Sequence, residues 1–269
     1  MNTYPAVGGP DPGQSPALAQ LLAELRERHN DAVDGILLYG SCLRSGDIFD
    51  GLLDLYLICE DYSSAYEKWH LAAANWLLPP NVFYAQTEYD GQLLRSKVTV
   101  ISGDDFRRGC SRRWFQSYIW GRFAQPTRIV YSRNPEIHQE LVECLQEAVH
   151  TLLLRALPAL PQSGTLVQLW EQALALSYNT ELRTERSDRA AELAQNAAQF
   201  YATVTRQQLD SLAFALKVYD DNDELHYQCH VPQHKRRTAG LAWLLRRIQG
   251  KTLSILRLVK ALFTFEGGL

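Results

Sequence analysis

Apolar positions in the first half of the chain follow two rhythms, short continuous runs and stripes at helical spacing. Leucines recur every three or four residues behind Ser15-Pro16, a helix N-cap followed by proline at the first helical position. Two β-rich runs flank Tyr89-Asp90-Gly91-Gln92, and an Asp-Gly pair in that setting favours a hairpin. The pattern predicts a helix over about 16–29, buried strands at 35–39 and 52–59, and a hairpin formed by 82–88 and 93–101.

Between these strands, one stripe of apolar residues predicts a further helix, which Pro79 and Pro80 end. The stripe consists of Tyr66, Trp69, His70, Ala73, Trp76 and Leu77. A histidine on an apolar stripe is more often a core residue than a catalytic base, so we expect His70 to be buried.

The second half of the chain has helical periodicity throughout, beyond a predicted boundary marked by Pro158, Pro161 and Ser163-Gly164. Helices are predicted at 165–178, about 188–205, and around 207–218, 238–249 and 252–264. The predicted fold class is α+β. The predicted domains are a flexible tail (1–15), a mixed-sheet domain (16–157) and a mainly helical domain with a basic amphipathic C-terminal segment (158–269).

Composition excludes several classes of protein. Hydrophobic residues make up 46% and charged residues 21%, which is ordinary for a globular protein, and no run is long enough to span a membrane. The five scattered cysteines are typical of reduced thiols, and the first 25 residues lack the features of a secretory or mitochondrial signal. We therefore expect a cytoplasmic, bacterial-type protein.

Charge is distributed unevenly behind the net value of −3. Residues 1–100 carry 6 basic and 13 acidic groups, whereas residues 231–269 carry 8 basic groups and 1 acidic group. In the region 235–260 the cations intersperse with leucines, isoleucines and Trp243, as in a helix lying on an anionic membrane surface. Two core helices with snorkelling cations would give the same pattern.

The candidate chemistry begins at the end of the first predicted strand. Tyr39-Gly40-Ser41 leaves that strand, and Asp54 lies on the next one. A Gly-Ser turn allows backbone N–H groups to approach a triphosphate, and a nearby carboxylate can hold Mg²⁺ against the phosphates. An ordinary β-turn explains the Gly-Ser pair equally well when it is taken alone.

Nucleotidyltransferases of the polymerase-beta type have two acids on the second strand, because period-two alternation places both on one face. Tyr56 stands at the second position here. A two-metal site would therefore need Asp47, Asp50, Glu60 or Glu88.

Several motifs resemble, in the same order, the mitochondrial-type phosphatidate cytidylyltransferases, also called translocator assembly and maintenance proteins. Tyr39-Gly40-Ser41 with a lone Asp54 is similar to the family's site. The most specific match is Trp114 to Pro126, which resembles Trp-x3-Tyr-[Leu/Ile]-x-Gly-Arg-x2-[Lys/Gln]-Pro. Further similar segments are Glu60, Trp69-His70, Val82-Phe83-Tyr84, Lys97, Val100-Ile101-Ser102, Leu176-Ser177-Tyr178, Arg183 and Gly250-Lys251-Thr252.

The resemblance implies a Mg²⁺-dependent enzyme that converts CTP and phosphatidic acid into CDP-diacylglycerol and pyrophosphate. It implies a nucleotidyltransferase-like sheet domain, a winged-helix-like part and C-terminal helices. The implied partners are CTP, phosphatidic acid and an anionic membrane surface to which the enzyme binds peripherally, and no nucleic acid is expected. The implied roles are nucleotide binding by Tyr39, Gly40, Ser41 and Lys97, metal binding by Asp54, catalysis by Asp54, Lys97 and Arg122, and acceptor binding by Tyr118, Arg122 and Arg183.

Two other functions stay open at this level. One is a nucleotidyltransferase with another acceptor, such as a sugar phosphate, a tRNA end or another polar lipid. The other is a non-catalytic membrane-binding or nucleic-acid-binding module, which the missing second acid and the basic C-terminal segment favour. A cluster of His226, Cys229, His230 and His234 contains zinc-type ligands, but a polar loop between helices explains it as well.

Overall fold

The computed structural model describes residues 4–5, 11, 14–182 and 188–264. Its strands are β1 Val33–Tyr39, β2 Leu53–Cys59, β3 Asn81–Tyr89, β4 Gln92–Ser102, β5 Thr127–Ser132, β6 Ser163–Thr165, β7 Ala215–Asp221 and β8 Glu224–His230. Its helices are α1 Pro16–Arg28, α2 Ser41–Ser45, α3 Tyr62–Ala65, α4 Trp69–Leu77, α5 Gly103–Cys110, α6 Trp120–Phe123, α7 Pro135–Ala156, α8 Leu166–Tyr178, α9 Asp188–Asn196, α10 Ala198–Gln208 and α11 Gln233–Thr264.

Two compact units interleave along the sequence, whereas the sequence analysis predicts one boundary near residue 158. One unit, here called the sheet unit, contains 6–107, 126–143 and 256–269; the other, the helical unit, contains 1–5, 108–125 and 144–255. The predicted tail, 1–15, lies largely outside the described residues.

The sheet unit is built on five strands in the order β3-β4-β2-β1-β5. β2 and β4 are parallel and the other pairs are antiparallel, so the sheet is mixed. The leucines of α1 pack with the apolar side chains of β1, β2 and β4 in one core. Helix α1, strands β1 and β2 and the β3–β4 hairpin agree with the predictions to within two residues at each end.

Strand β5 is absent from the sequence predictions. It pairs with β1 at the edge of the sheet, and most of its residues are half-buried. A short edge strand with little alternation between buried and exposed positions leaves a weak signal in sequence.

The apolar stripe of helix α4 faces solvent, whereas the sequence predicts that it faces the core. Trp69, Trp76 and Leu77 are 79%, 75% and 77% exposed, and His70 is exposed too. The buried side of α4 contains Asn75, which is fully buried and donates hydrogen bonds to Tyr66 Oη at 3.1 Å and to the Val100 carbonyl at 3.0 Å. The predicted burial of His70 is therefore wrong. The two hydrogen bonds that Asn75 donates let its polar side chain take the inner face instead.

The helical unit contains a second sheet, β6-β8-β7, with α8, α9 and α10 placed between β6 and β7 in sequence. Helix α8 starts at a capping box, in which Thr165 and Gln168 satisfy each other's backbone N–H groups. Trp170 of α8 stacks on Tyr201 of α10, with ring centroids 4.3 Å apart, in the core of this unit. Strand order and helix order correspond to the expected winged-helix-like part.

The helix predicted around 207–218 is wrong beyond Gln208, where α10 ends. Ala215–Asp221 is a strand, and it forms a hairpin with β8 through Asn222 and Asp223, whose φ angles are +54° and +63°. Asparagine and aspartate tolerate this left-handed conformation, so the pair Asn222-Asp223 is a sequence signal for a hairpin turn.

The two helices predicted at 238–249 and 252–264 are one continuous helix, α11. Gly250 does not interrupt it. A Cβ at Gly250 would lie 2.5 Å from the Thr180 carbonyl oxygen, so glycine is needed there for close packing rather than for a break. Among the described residues, α11 and every other helix fall short of the length or apolar character that crossing a membrane requires.

Candidate active site

The candidate site is formed by residues that are in register with one another across the five-stranded sheet. Tyr39 at the end of β1 is in register with Asp54 near the start of β2, Asp54 with Lys97 of β4, and Lys97 with Tyr84 of β3. Side chains in register on neighbouring strands project from the same face. The sheet therefore brings together Asp54 and Lys97, which the sequence analysis assigns to one site, and adds Tyr84 beside them.

Gly40 separates this row from α2 and has a conformation that requires glycine. Its φ is +92° and its ψ is −156°. A Cβ at this position would lie 2.6 Å from Asp54 Oδ2. Backbone conformation and close approach of the carboxylate thus both exclude a side chain, and the Gly40-Ser41 turn leaves the backbone open beside Asp54.

Asp54 and Lys97 form a long, half-exposed ion pair. Lys97 Nζ lies 3.8 Å from Asp54 Oδ1, and their side chains are 32% and 26% exposed. Such a pair gains little net free energy from its Coulomb attraction. Both groups can therefore change partners at small cost when a charged ligand arrives.

The loop after α2 brings two further carboxylates into this neighbourhood. Asp47 Oδ1 accepts hydrogen bonds from the backbone N–H groups of Phe49 at 2.9 Å and of Asp50 at 3.3 Å, which shapes the loop. Burial raises the pKa of the Cys42 thiol, and the negative charges of Asp54, Asp50 and Asp47 raise it further. The thiol is thus an inert packing group beside an acidic cluster.

The other two candidate acids, Glu60 and Glu88, are not in register with Asp54. Glu60 follows the far end of β2, six residues or about 20 Å along the strand from Asp54. Glu88 pairs with Leu93 near the tip of the hairpin, four residues along β3 from Tyr84.

Tyr56, at the position of the usual second acid, is fully buried. Its ring packs edge-on against Tyr39, with centroids 5.7 Å apart. Within the part of the chain that the structure describes, no group of three or more histidine, cysteine, aspartate or glutamate side chains could hold a metal ion. The row of residues in register, Tyr39, Asp54, Lys97 and Tyr84, contains one carboxylate, that of Asp54.

Arg122 and Tyr118 lie in the helical unit and form a cluster of their own. Arg122 is 5% exposed, and its Nη2 lies 3.1 Å from Glu181 Oε2. The carbon at the centre of its guanidinium lies 4.6 Å from the centroid of the Tyr118 ring, a cation–π contact. Substrate binding by Arg122 would compete with its ion pair to Glu181.

Comparison with known proteins identifies the family. A family model described as mitochondrial phosphatidate cytidylyltransferase matches residues 66–238, which is more than half of the chain. The chain belongs to the mitochondrial phosphatidate cytidylyltransferase family. It is a nucleotidyltransferase, and its reaction transfers CMP from CTP to phosphatidate, giving CDP-diacylglycerol and pyrophosphate. The predicted α+β class with a mixed sheet is confirmed.

The search of curated proteins finds no match to the chain. Among solved structures, the chain is similar to a nucleotidyltransferase-like protein from Exiguobacterium sibiricum. The two share 12% identity over 80% of this chain and 100% of that one, with a TM-score of 0.30.

Segments that resemble the phosphatidate cytidylyltransferase family far apart in sequence meet around the C-terminal end of α8. A Cβ on Gly121 would lie 2.7 Å from Ser177 Cβ, so Trp114–Pro126 packs closely on this helix. Ser117 and Thr180 share a hydrogen bond of 2.6 Å, and Gly250 packs on the carbonyl of Thr180. Much of the family signature in this unit therefore serves close packing.

Other candidates fall elsewhere. Arg183 lies outside the described residues, so its acceptor-binding role stays a prediction. In the histidine and cysteine cluster, Cys229 is buried on β8, whereas His226 stacks on Tyr219 and His230 is exposed. Period-two alternation along β8 separates the sulfur from both imidazoles.

Proposed function

We propose that this phosphatidate cytidylyltransferase carries out CMP transfer at the level of Gly40, Asp54 and Lys97, with Mg²⁺ held by Asp54 and the phosphates of CTP. The observation that carries the proposal is the contact between Gly40 and Asp54. A positive-φ glycine leaves no room for a Cβ beside a half-exposed carboxylate, on the same level as a lysine.

The residues in register with Asp54 supply one carboxylate, which fits one Mg²⁺ ion. Magnesium in nucleotide sites is commonly held by one or two carboxylates together with substrate phosphates and water. Asp54 supplies one carboxylate, and Tyr56 occupies the position where a second would stand. When bound, the ion would neutralise charge on the departing pyrophosphate.

The residues of this chain then have separate tasks. The open backbone at Gly40-Ser41 accommodates the triphosphate, because amide groups at the start of α2 have no partners within the helix. Lys97 places a positive charge next to Asp54 and can pair with a phosphate oxygen when the ligand enters. Tyr84, 37% exposed on the next strand, offers a ring beside the same phosphates or base.

The reaction needs little proton chemistry from the protein. The phosphate of phosphatidate is a monoester with a second pKa of about 6, so an anionic oxygen is available at neutral pH. That oxygen forms a bond to the α-phosphorus of CTP while the bond to the bridging oxygen breaks, and pyrophosphate leaves. Positioning and charge stabilisation therefore dominate, which are the tasks that Gly40, Asp54 and Lys97 perform.

A lipid acceptor requires the enzyme to work at a membrane, and helix α11 supports peripheral binding. Beyond its first turns, which expose Lys235, Arg236 and Arg237, this helix exposes ten large apolar side chains: Leu241, Leu244, Leu245, Ile248, Ile255, Leu256, Leu258, Val259, Leu262 and Phe263. Its cation Arg246 instead faces inward, is 2% exposed and donates from Nε to the Phe115 carbonyl at 3.0 Å. Outward leucines on a long helix favour a surface-lying membrane helix over two core helices. The cytoplasmic location and bacterial origin stay predictions.

The test is Asp54→Asn in the purified protein, assayed for CDP-diacylglycerol with CTP, phosphatidate and a Mg²⁺ titration. We expect a loss of activity on the order of 10³-fold, because the metal and the triphosphate lose their anchor. Asp90→Asn is the matched control, since it makes the same charge change in the hairpin turn, where asparagine tolerates the φ of +49°.

Three results would count against the proposal. One is full Mg²⁺-dependent activity of Asp54→Asn, which would move the metal site elsewhere. Another is wild-type activity that survives complete chelation. The third is labelled CTP transferring to a sugar phosphate or a tRNA end but not to phosphatidate.

A further inference from the structure

Helix α4 presents its apolar stripe to solvent. Trp69, Trp76 and Leu77 are each at least three quarters exposed, although the same helix buries the polar Asn75. The exposed positions 69, 73, 76 and 77 lie on one side of a helix, at spacings of four, three and one residue. This arrangement is the opposite of an ordinary surface helix, whose apolar side faces the core.

The last turns of α11 belong to the same sheet unit. They too turn polar side chains toward the protein and apolar side chains toward solvent. Arg257 Nε donates to the Pro79 carbonyl at 3.0 Å, and Lys260 Nζ donates to the carbonyls of Leu78 and Pro80. The cations thus point toward the protein. Leu258, Leu262 and Phe263 point away and are 63%, 79% and 82% exposed.

These hydrogen bonds join the two reversed helices into one surface. The carbonyls that accept them belong to residues 78–80, which follow directly after Trp76 and Leu77. We call the exposed residues of this surface the tryptophan face: Trp69, Trp76, Leu77, Leu258, Leu262 and Phe263. Such a set exposes several hundred Å² of apolar side chain, above what monomeric soluble proteins usually leave uncovered.

The charge around the face indicates what covers it. Helix α4 contains no aspartate, glutamate, lysine or arginine, and residues 256–264 contain Arg257 and Lys260 but no acid. Glu67 and Lys68 precede α4 and together add no net charge. Tryptophan prefers the boundary between lipid headgroups and acyl chains, and a cation at that depth, here the half-buried Arg257, favours anionic lipids.

We propose that the tryptophan face inserts as far as the boundary between headgroups and acyl chains of an anionic, phosphatidate-containing membrane, with Trp69 and Trp76 as the deepest side chains. The inference rests on the proposed lipid acceptor and deepens it, because it places a membrane anchor on the unit that contains Asp54 and Lys97. Phosphatidate then reaches the site from a bilayer that this unit itself contacts.

The first experiment mixes the full-length protein with vesicles of phosphatidylcholine and phosphatidate in which the phosphatidylcholine acyl chains are brominated. We expect quenching of tryptophan fluorescence in the wild type, since bromine quenches only rings that reach the acyl region. The double variant Trp69→Ser/Trp76→Ser should lose this quenching, although four of the six tryptophans remain. Wild-type protein that binds these vesicles without quenching would overturn the proposal.

The second experiment measures vesicle binding by flotation. We expect Trp69→Ser/Trp76→Ser to bind on the order of tenfold more weakly, and Trp69→Phe/Trp76→Phe to recover most of the binding. Tyr219→Ala is the matched control, since it removes a 46% exposed aromatic ring from the helical unit. Equal binding of the serine variant and the wild type would overturn the proposal.

A second copy of the chain is the competing occupant. Light scattering without lipid distinguishes it, because a concentration-dependent dimer that the serine variant abolishes would assign the face to self-association and contradict membrane insertion. We expect a monomer at every concentration for both proteins.

An activity assay separates this inference from the proposed function. With a short-chain phosphatidate below its micelle concentration, Trp69→Ser/Trp76→Ser should match the wild type, whereas on vesicles its turnover should fall several-fold. Loss in both assays would mean that the face supports the fold rather than membrane contact. A wild type inactive with CTP in both assays would contradict the proposed function, while the quenching result would still decide the membrane face.

Discussion

The two candidate ion pairs of this enzyme have similar chemistry and opposite surroundings. In the sheet unit, Lys97 and Asp54 are 3.8 Å apart and about a quarter to a third exposed. In the helical unit, Arg122 and Glu181 are 3.1 Å apart and are 5% and 14% exposed. The first pair is a long contact open to solvent, and the second is a short contact inside the protein.

This difference indicates which pair can change partners when a charged ligand binds. An exposed pair costs little to break, so Asp54 and Lys97 can exchange each other for a metal ion and a phosphate. A buried pair is hard to break, because the partner left behind is an uncompensated charge. Both pairs belong to segments that resemble the same family, so resemblance alone does not tell the two roles apart.

The largest expected effect is on stability, from Arg122→Met. Removing the guanidinium takes away the cation that pairs with the Glu181 carboxylate, which is 14% exposed, and we expect a loss of about 3–5 kcal/mol in the free energy of unfolding. Chemical denaturation followed by circular dichroism measures it. Activity per folded molecule should fall much less than in Asp54→Asn.

The double variant Arg122→Met/Glu181→Leu is the control for this comparison. It removes both charges, so most of the lost stability should return. If Arg122→Met were instead as stable as the wild type but inactive, Arg122 would be a substrate ligand as the sequence analysis predicts.

The next effect is on catalysis, from Gly40→Ala. The added methyl group would lie 2.6 Å from Asp54 Oδ2, so the carboxylate must move, and we expect turnover to fall about 100-fold. Gly51→Ala is a matched control, because Gly51 has a φ of +101° but open space around it. Both variants carry similar backbone strain, and only Gly40→Ala should lose activity. Equal losses in the two would show that strain, rather than contact with Asp54, is responsible.

Much of the candidate site could be predicted from the sequence, because the strands and the turn that form it depend on local sequence patterns. Continuous apolar runs gave β1 and β2, and the Asp-Gly turn gave the hairpin that carries Lys97. The parallel register that sets Lys97 opposite Asp54 depends on the tertiary fold, and no local pattern encodes it. Tyr84 therefore escaped notice as a neighbour of the site.

The elements that the sequence predicts wrongly also depend on contacts formed only in the folded protein. The sequence analysis predicts a helix and a loop where strands β7 and β8 lie. Two signals nevertheless favour strands: Tyr227 and Cys229 alternate with polar residues, and Asn222-Asp223 forms the turn. Helix α4 had the correct stripe but the wrong side inward, because periodicity finds an apolar side without saying what covers it. The buried hydrogen bonds of Asn75 decide the orientation, and they exist only in the folded protein.

The smallest expected effect extends the comparison to Lys260, a cation that donates to backbone carbonyls. Burial, followed by the nearby charge of Arg257, lowers the pKa of Lys260 from 10.5 to about 7. Between pH 7 and 10 the unfolded chain therefore holds a proton that the folded protein has released, so this residue makes stability rise with pH across that window. Below pH 7 both states are protonated, and the cost of burying the charge is fully present. Lys260→Met removes this dependence.

We therefore expect the difference in melting temperature, wild type minus Lys260→Met, to increase between pH 7 and pH 9 by on the order of 2 °C. Taking the difference cancels the cysteines and tyrosines that titrate above pH 8 in both proteins. A constant difference over this range would mean that Lys260 keeps its proton in the folded protein.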